Sequence, residues 1–213
     1  MLCKYKVRLC TDGSQQQYGV DYWETYALIV SWSTVCLLLT LSSIHKWHST
    51  QINFTQAFTQ PPINEDIYMK IPQGWYMLDG SLQQHSDPKH RDTSHYIKLE
   101  KSLYGIKQAT RAWFHHLEPG QQHLGFQASP VDPCLFYKDD CIIVLYIDDC
   151  LIFSPDQTMI HSTVSQLQEH YLLGEEGSVQ DFLGVHIHSD EQGHMHFTQT
   201  RSHRSHNPRP PPY

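Results

Sequence analysis

The stretch CIIVLYIDDCLIF, Cys141 to Phe153, decides how the chain reads. An apolar run suited to a strand is followed by two adjacent carboxylates, Asp148 and Asp149, and then by a second apolar run. Strand, acidic turn, strand is a hairpin, and it places both acids at the tip of an apolar sheet. Like charges held there repel and lose hydration unless a cation neutralises them. Hard carboxylate oxygens suit Mg²⁺, which takes one or two carboxylates together with substrate phosphates. A two-metal phosphoryl-transfer site would need a further carboxylate from a neighbouring strand. The competing reading is a plain exposed turn, because turns favour Asp and the chain has another such pair at Asp139-Asp140.

Working outward, CLFYK (134–138) precedes the hairpin and makes it part of a β-meander. After it, Ser154-Pro155-Asp156-Gln157 reads as a helix start, with Ser154 as N-cap, Pro155 at N1 and Gln157 at N3. Ile160, Val164, Leu167 and Tyr171 give that helix an apolar stripe. DFLGVHIHSDEQGHMHFTQ (181–199) predicts a last hairpin turning near Gly193. Upstream, YIKLEKSLYGIKQATRAWFHHL (96–117) begins as a strand and turns helical from about Lys107, with Ala109, Ala112 and Trp113 on one side. Pro119-Gly120 should break or kink this helix, since continuing through Pro costs about 3 kcal/mol. Further strands are expected at 4–10, 50–58 (leading into a turn or short helix) and 65–72. A helix is expected from about Thr34 to Ile44, buried through Val35, Leu38, Leu39 and Ile44. Residues 78–95 read as an exposed polar loop, and 201–213 as a disordered tail.

Composition narrows the classes. In 213 residues, 39% hydrophobic and 12% aromatic content supports a packed core and excludes disorder throughout. A net charge of −7 provides no broad basic face for nucleic acid. The six Cys form no CxxC pair and read as free thiols in a reducing, intracellular setting, cytoplasmic or nuclear. No secretory signal is visible. Residues 25–45 lack Asp, Glu, Lys and Arg and reach the roughly 20 residues of a membrane span. Interrupting Ser and Thr argue for a buried helix instead, with no membrane partner. The sequon Asn53-Phe54-Thr55 carries no weight without a signal peptide. Period-2 alternation sets His186, His188, His194 and His196 on one hairpin face, either as a solvated surface or as a Zn²⁺ or Ni²⁺ site. The terminal Pro210-Pro211-Pro212-Tyr213 is a weak match to WW-domain ligands.

Several blocks, in order, resemble copia-type LTR-retrotransposon reverse transcriptases. YIDD (146–149) is similar to the family's active-site box, and GVDYWETYALIV (19–30) to the segment before its first long helix. QINFTQAFTQPPINEDIYMKIPQGW (51–75) resembles the block with the first catalytic Asp, and KLEKSLYGIKQATRAWF (98–114) the family's most recognisable signature. LGFQASPVDPCLFYK (124–138) and DFLGVHI (181–187) fit as well. The likeness covers roughly residues 4–200. It implies an α+β fold, a polymerase palm with parts of the fingers, built as antiparallel sheet backed by helices over residues 1–200, followed by the tail. It also implies an RNA-directed DNA polymerase with two Mg²⁺ or Mn²⁺ ions, an RNA/DNA template-primer and dNTPs as partners, and other polyprotein segments nearby. By position, Asp148 and Asp149 would hold metal and triphosphate, and Tyr146 would sit beside the primer end. Lys6 and Arg8 would face the triphosphate, and Gln108 would line the nucleotide pocket. Phe54, Ala57 and Phe58 would shape its floor and sugar side. The implied step is in-line attack of a primer 3′-hydroxyl on the α-phosphate.

The sequence departs from that pattern where it matters most. The third carboxylate of the family stands at position 53, and here the residue is Asn53. An amide oxygen can still touch a cation, but it brings no negative charge to hold two divalent ions together. Leu28 and Thr110 replace usual prolines, Cys36 replaces a usual arginine, and Pro119-Gly120 falls inside a family helix. The sequence stops after the last hairpin, without thumb, connection or RNase H, and its tail looks out of frame. The expectation is a truncated domain of impaired activity. The alternative is a non-catalytic remnant with at most weak nucleic-acid or metal binding.

Overall fold

The computed structural model describes residues 7–72, 96–179, 181–190 and 195–199. In chain order, helix α1 (Trp32–His45) is followed by strands β1 (His48–Phe54), β2 (Tyr68–Lys70) and β3 (Tyr96–Lys98), and then by helix α2 (Ala109–His123). The meander comprises β4 (Gln127–Ala128), β5 (Leu135–Lys138), β6 (Cys141–Tyr146) and β7 (Asp149–Ser154). Helix α3 (Gln157–His170) leads to β8 (Leu173–Gly177), β9 (Asp181–Phe182), β10 (Val185–Ser189) and β11 (Met195–Thr198).

The main sheet runs β4-β5-β6-β7-β1-β8, with every neighbouring pair antiparallel. The quoted hairpin lies at its centre and is covered on both faces. That is why its two strands read as continuous apolar runs rather than as alternation. On one face Ile52, Phe54, Ile143, Leu145 and Ile152 pack against Trp113 and Leu117 of α2 and Ile160, Val164 and Leu167 of α3. On the other, Val144, Leu151 and Phe153 meet Val35, Leu38 and Leu39 of α1, together with Phe182 and Ile187. Each such side chain contributes about 1.5–3 kcal/mol on burial. The architecture is therefore α+β, an antiparallel sheet backed by helices. β2 and β3 form a separate two-stranded ribbon, and β9, β10 and β11 a three-stranded sheet.

Local expectations fare unevenly. Helix α1 forms, but Ile44 is exposed, and the inward position of its last turn is Ser42, whose hydroxyl donates to the Trp47 carbonyl at 3.3 Å. Its Ser31 N-cap makes no side-chain capping bond. Buried Asp132 does so from a hundred residues away, accepting from the Ser31 amide (3.0 Å) and the Thr34 hydroxyl (2.7 Å) while its other oxygen accepts from the Cys134 amide (3.1 Å). Among the described residues no helix is long and apolar enough to cross a membrane.

Helix α2 does not stop at Pro119. It continues to His123 because the Pro-Gly pair is built into a contact with Tyr171. The Tyr171 hydroxyl lies against Gly120, where a Cβ would collide with it, and donates toward the His116 and Leu117 carbonyls, 3.4 Å each. A donor from outside the helix thus serves carbonyls beside the bond that proline removes.

Helix α3 begins later than expected. Ser154 ends β7, and the N-cap is Asp156, whose carboxylate accepts from the Thr158 amide at 2.8 Å. The stripe Ile160, Val164, Leu167 and Tyr171 is buried as read. Residues 7–9 form no strand, and only Cys10 bridges Tyr104. β8 forms along the free edge of β1 without a strand signal in its own sequence. Pairing of β10 with β11 matches the expected last hairpin, whose tip, including Gly193 and His194, lies outside the described residues, as do the 78–95 loop, Lys6 and the tail.

Candidate active site

Three separate elements meet at one end of the central strands. The antiparallel register of β1 on β7 places Asn53 opposite Asp149, and the β6–β7 register places Tyr146 opposite the same residue. The Phe54 amide donates to the Asp148 carbonyl at 2.7 Å, extending the ladder past the strand end. Asn53, Tyr146, Asp148 and Asp149 are thus gathered at an exposed to half-buried sheet end above a closed core.

Only Ile147 and Asp148 connect β6 to β7, and so tight a hairpin needs positive φ in its loop. Ile147 supplies it, with φ 52°. A β-branched residue in the left-handed region is a genuine outlier, costing roughly 1–2 kcal/mol. Its carbonyl is held by the Trp113 indole N–H at 2.6 Å. Trp113, 1% exposed, also meets the Phe54 ring edge-on at 5.1 Å between centroids.

The electrostatics turn on position 53. The Asn53 amide nitrogen donates to Asp149 Oδ1 at 3.0 Å. An aspartate there would set two carboxylates side by side, stable only with a cation between them. The amide removes that repulsion and already uses one lone pair of Asp149. At an effective dielectric of about 20, one charge about 4 Å away is worth roughly 4 kcal/mol to a bound cation. Beneath the acids, Cys150 is fully buried, and burial pushes its thiol well above the usual range.

The other residues named from the sequence are spread more widely. Phe54 and Ala57 are buried in the core beneath the strand end, Phe54 on the face opposite Asn53. Phe58 is half-buried and meets the Tyr104 ring at 5.0 Å, while the Arg8 guanidinium lies 5.4 Å from the centre of the same ring. Tyr104 therefore links Arg8 to Phe58. Gln108 precedes α2 and is 4% exposed; its amide donates to the Asp21 carbonyl (2.9 Å) and its oxygen accepts from Gln16 (3.0 Å). It also borders a cleft of ≈ 540 Å³ with Trp23, Glu24, Arg111 and His115, which none of Asn53, Asp148 or Asp149 lines. Spacing marks Trp113 only as part of a buried helix face, and nothing in it points to the turn that the indole touches.

His186, His188 and His196 share a face as expected, with His188 opposite His196. Their rings stack, 5.8 Å between the first pair and 5.0 Å between the second, and His196 pairs with Asp190 at 3.1 Å. Among the described residues no group of three or more His, Cys, Asp or Glu is arranged to hold a metal ion.

Comparisons with known proteins agree with the motifs. A family model described as reverse transcriptase (RNA-dependent DNA polymerase) matches residues 1–202. The chain is 31% identical over 205 residues to the retrovirus-related Pol polyprotein from transposon RE1 of Arabidopsis thaliana, covering 94% of this chain and 13% of that protein. It is 29% identical over 191 residues to the Pol polyprotein from transposon TNT 1-94 of Nicotiana tabacum, covering 87% and 14%. The chain thus spans about an eighth of the length of these relatives. Among solved structures, telomerase from Candida albicans, in complex with a TWJ fragment of telomeric RNA, matches with a TM-score of 0.40 and 13% identity over 75% of this chain and 34% of that one.

Proposed function

We infer the function from one premise: the chain belongs to the reverse transcriptase (RNA-dependent DNA polymerase) family, in its copia-type Pol polyprotein branch. On that premise the end of β1 and β7 is a nucleotidyl-transfer centre with one carboxylate replaced, in a domain of impaired RNA-directed DNA polymerase activity. The observation that carries this reading is the register that sets Asn53 against Asp149 beside the Tyr146 turn.

The donor set, two carboxylates and one amide, fits one divalent cation and is a charge short for two. Asp148 and Asp149 would hold Mg²⁺ or Mn²⁺. When bound, the metal would supply Lewis-acid polarisation of a primer 3′-hydroxyl and of the departing pyrophosphate. Asn53 offers a carbonyl in place of a carboxylate, and its N–H must leave Asp149 Oδ1 before that carboxylate oxygen is wholly available to a cation. Tyr146 flanks the primer end. Phe54 and Ala57 support the floor from below, and Phe58 with Tyr104 shapes the sugar side. By the family resemblance Arg8 and Lys6 would face the triphosphate, and Gln108, whose side chain is bonded to Asp21 and Gln16 at the start of α2, would border the nucleotide pocket. A template-primer of RNA and DNA and dNTPs are the partners. The second reading, a non-catalytic remnant, is favoured by the Asn53–Asp149 hydrogen bond, which satisfies the site without any metal.

Primer extension on an RNA template in Mg²⁺ or Mn²⁺ tests both. Asn53→Asp should extend primer at least roughly tenfold faster than the natural chain, since even a third of the estimated charge term is about tenfold in rate. Asp148→Ala should abolish extension in either background. Equal extension with Asn53 and with Asp at 53 overturns the impairment. A folded Asn53→Asp chain that extends nothing overturns the polymerase reading.

A further inference from the structure

We propose that Trp113 is a positioning residue for the acidic turn, holding Ile147 in its left-handed conformation so that Asp148 and Asp149 keep their places against position 53. The inference deepens the proposed function and rests on that reading of the turn as a metal-binding centre.

Three observations converge on it. The loop between β6 and β7 has only two residues, and the first is a β-branched side chain at φ 52°, a conformation it does not adopt by preference. Such strain persists only where the surroundings over-determine it. The determinant is in view: the indole N–H of Trp113 donates to the Ile147 carbonyl at 2.6 Å, a little below the usual N–H···O range of about 2.7–3.2 Å. The same indole is fully buried and packs edge-on against Phe54, the residue after Asn53. One rigid side chain therefore touches the residue before Asp148 and the residue after Asn53. It sets the spacing between the two strand ends independently of any cation.

Trp113 is fixed in turn by its surroundings. Its ring lies 6.1 Å from Tyr171 and 5.9 Å from His116, and Tyr171 is seated against Gly120. Helix α2 thus reaches the turn through a stack of rings rather than through a loop. A side chain that only filled the core would need neither a polar atom nor this orientation, since phenylalanine buries nearly as much apolar surface.

The test separates position from packing by removing the donor and then the need for it. Hydrogen exchange on the natural chain reads the Phe54 amide, which is bonded to the Asp148 carbonyl, against the β6 and β7 amides as internal controls. Trp113→Phe should speed exchange at Phe54 roughly tenfold more than in the controls, because the turn opens locally rather than with the whole fold. Ile147→Gly, which adopts positive φ without strain, should restore most of the protection in the Trp113→Phe chain. In the Asn53→Asp background the same pair should move the Mn²⁺ dissociation constant, weakened about tenfold by Trp113→Phe and recovered by Ile147→Gly. Uniform acceleration of all core amides, or a double variant no better than Trp113→Phe alone, overturns the inference. Trp113→His, a smaller ring that keeps a donor, serves if the phenylalanine variant does not fold; turn protection no better than that of Trp113→Leu would then overturn it. Absence of Mn²⁺ binding in a folded Asn53→Asp chain with the expected exchange pattern would sink the polymerase reading and leave the positioning role standing.

Discussion

Single residues carry more than their chemistry advertises. Gly120 would ordinarily be worth replacing, since Ala in a helix interior gains about 1 kcal/mol over Gly. Here the sign inverts, because the new methyl would collide with the Tyr171 hydroxyl. Gly120→Ala should lower stability by about 1–3 kcal/mol in urea unfolding, and Tyr171→Phe in the same chain should recover part of the loss. Asp132 is a second case. It is buried and accepts three hydrogen bonds, one buried and two partly so, so Asp132→Ala should cost about 2–3 kcal/mol, seen as a fall in the unfolding midpoint. Neither role is visible in sequence. Pro119-Gly120 carries a breaker signal, and only the tertiary contact cancels it. Asp132 has no local pattern that links it to Ser31.

Elements with strong local signals were legible and borrowed ones were not. The β6–β7 hairpin declares itself, because burial on both faces demands apolar residues throughout and the tip is marked by two acids. α3 declares itself by its stripe, although its start was misplaced by two residues: Asp156, not Ser154, meets the Thr158 amide. That cap has a pH signature. Hydrogen bonds from the Thr158 hydroxyl and amide hold the Asp156 carboxyl below its usual value. Its contribution is therefore present above about pH 4 and lost as pH falls through the lowered folded value. Asp156→Asn should flatten the acid limb of a stability-versus-pH curve measured by thermal melting. β8 shows the opposite case. Leu173-Gly174-Glu175-Glu176-Gly177 is poor in strand formers and exists because β1 offers it an edge. The heart of the site was legible only through family resemblance, since no periodicity ties residue 53 to residue 149.

For the whole molecule, the sheet keeps three thiols out of water. Burial pushes Cys134 up to about 12 and raises Cys141 and Cys150 as well. An unfolded chain releases these protons near pH 8.5, while the folded chain retains them. The unfolded state then binds fewer protons, so stability falls as pH rises from about 9 toward 12. Urea midpoints at pH 8 and pH 10.5 should differ in that direction, and Cys150→Ala should reduce the slope between them. The pairing of Asn53 with Asp149 has a consequence in time as well as in space. β1 is a central strand, yet its neighbours β7 and β8 lie about a hundred residues further on, and the cap of α1 is as distant. A chain emerging from the ribosome carries that strand and that helix before their partners in the fold have been made. Loop closure over such separations is slow. β7 is complete only when translation reaches Ser154, so the order of synthesis makes the late hairpin the folding partner of β1 as well as the seat of the acids.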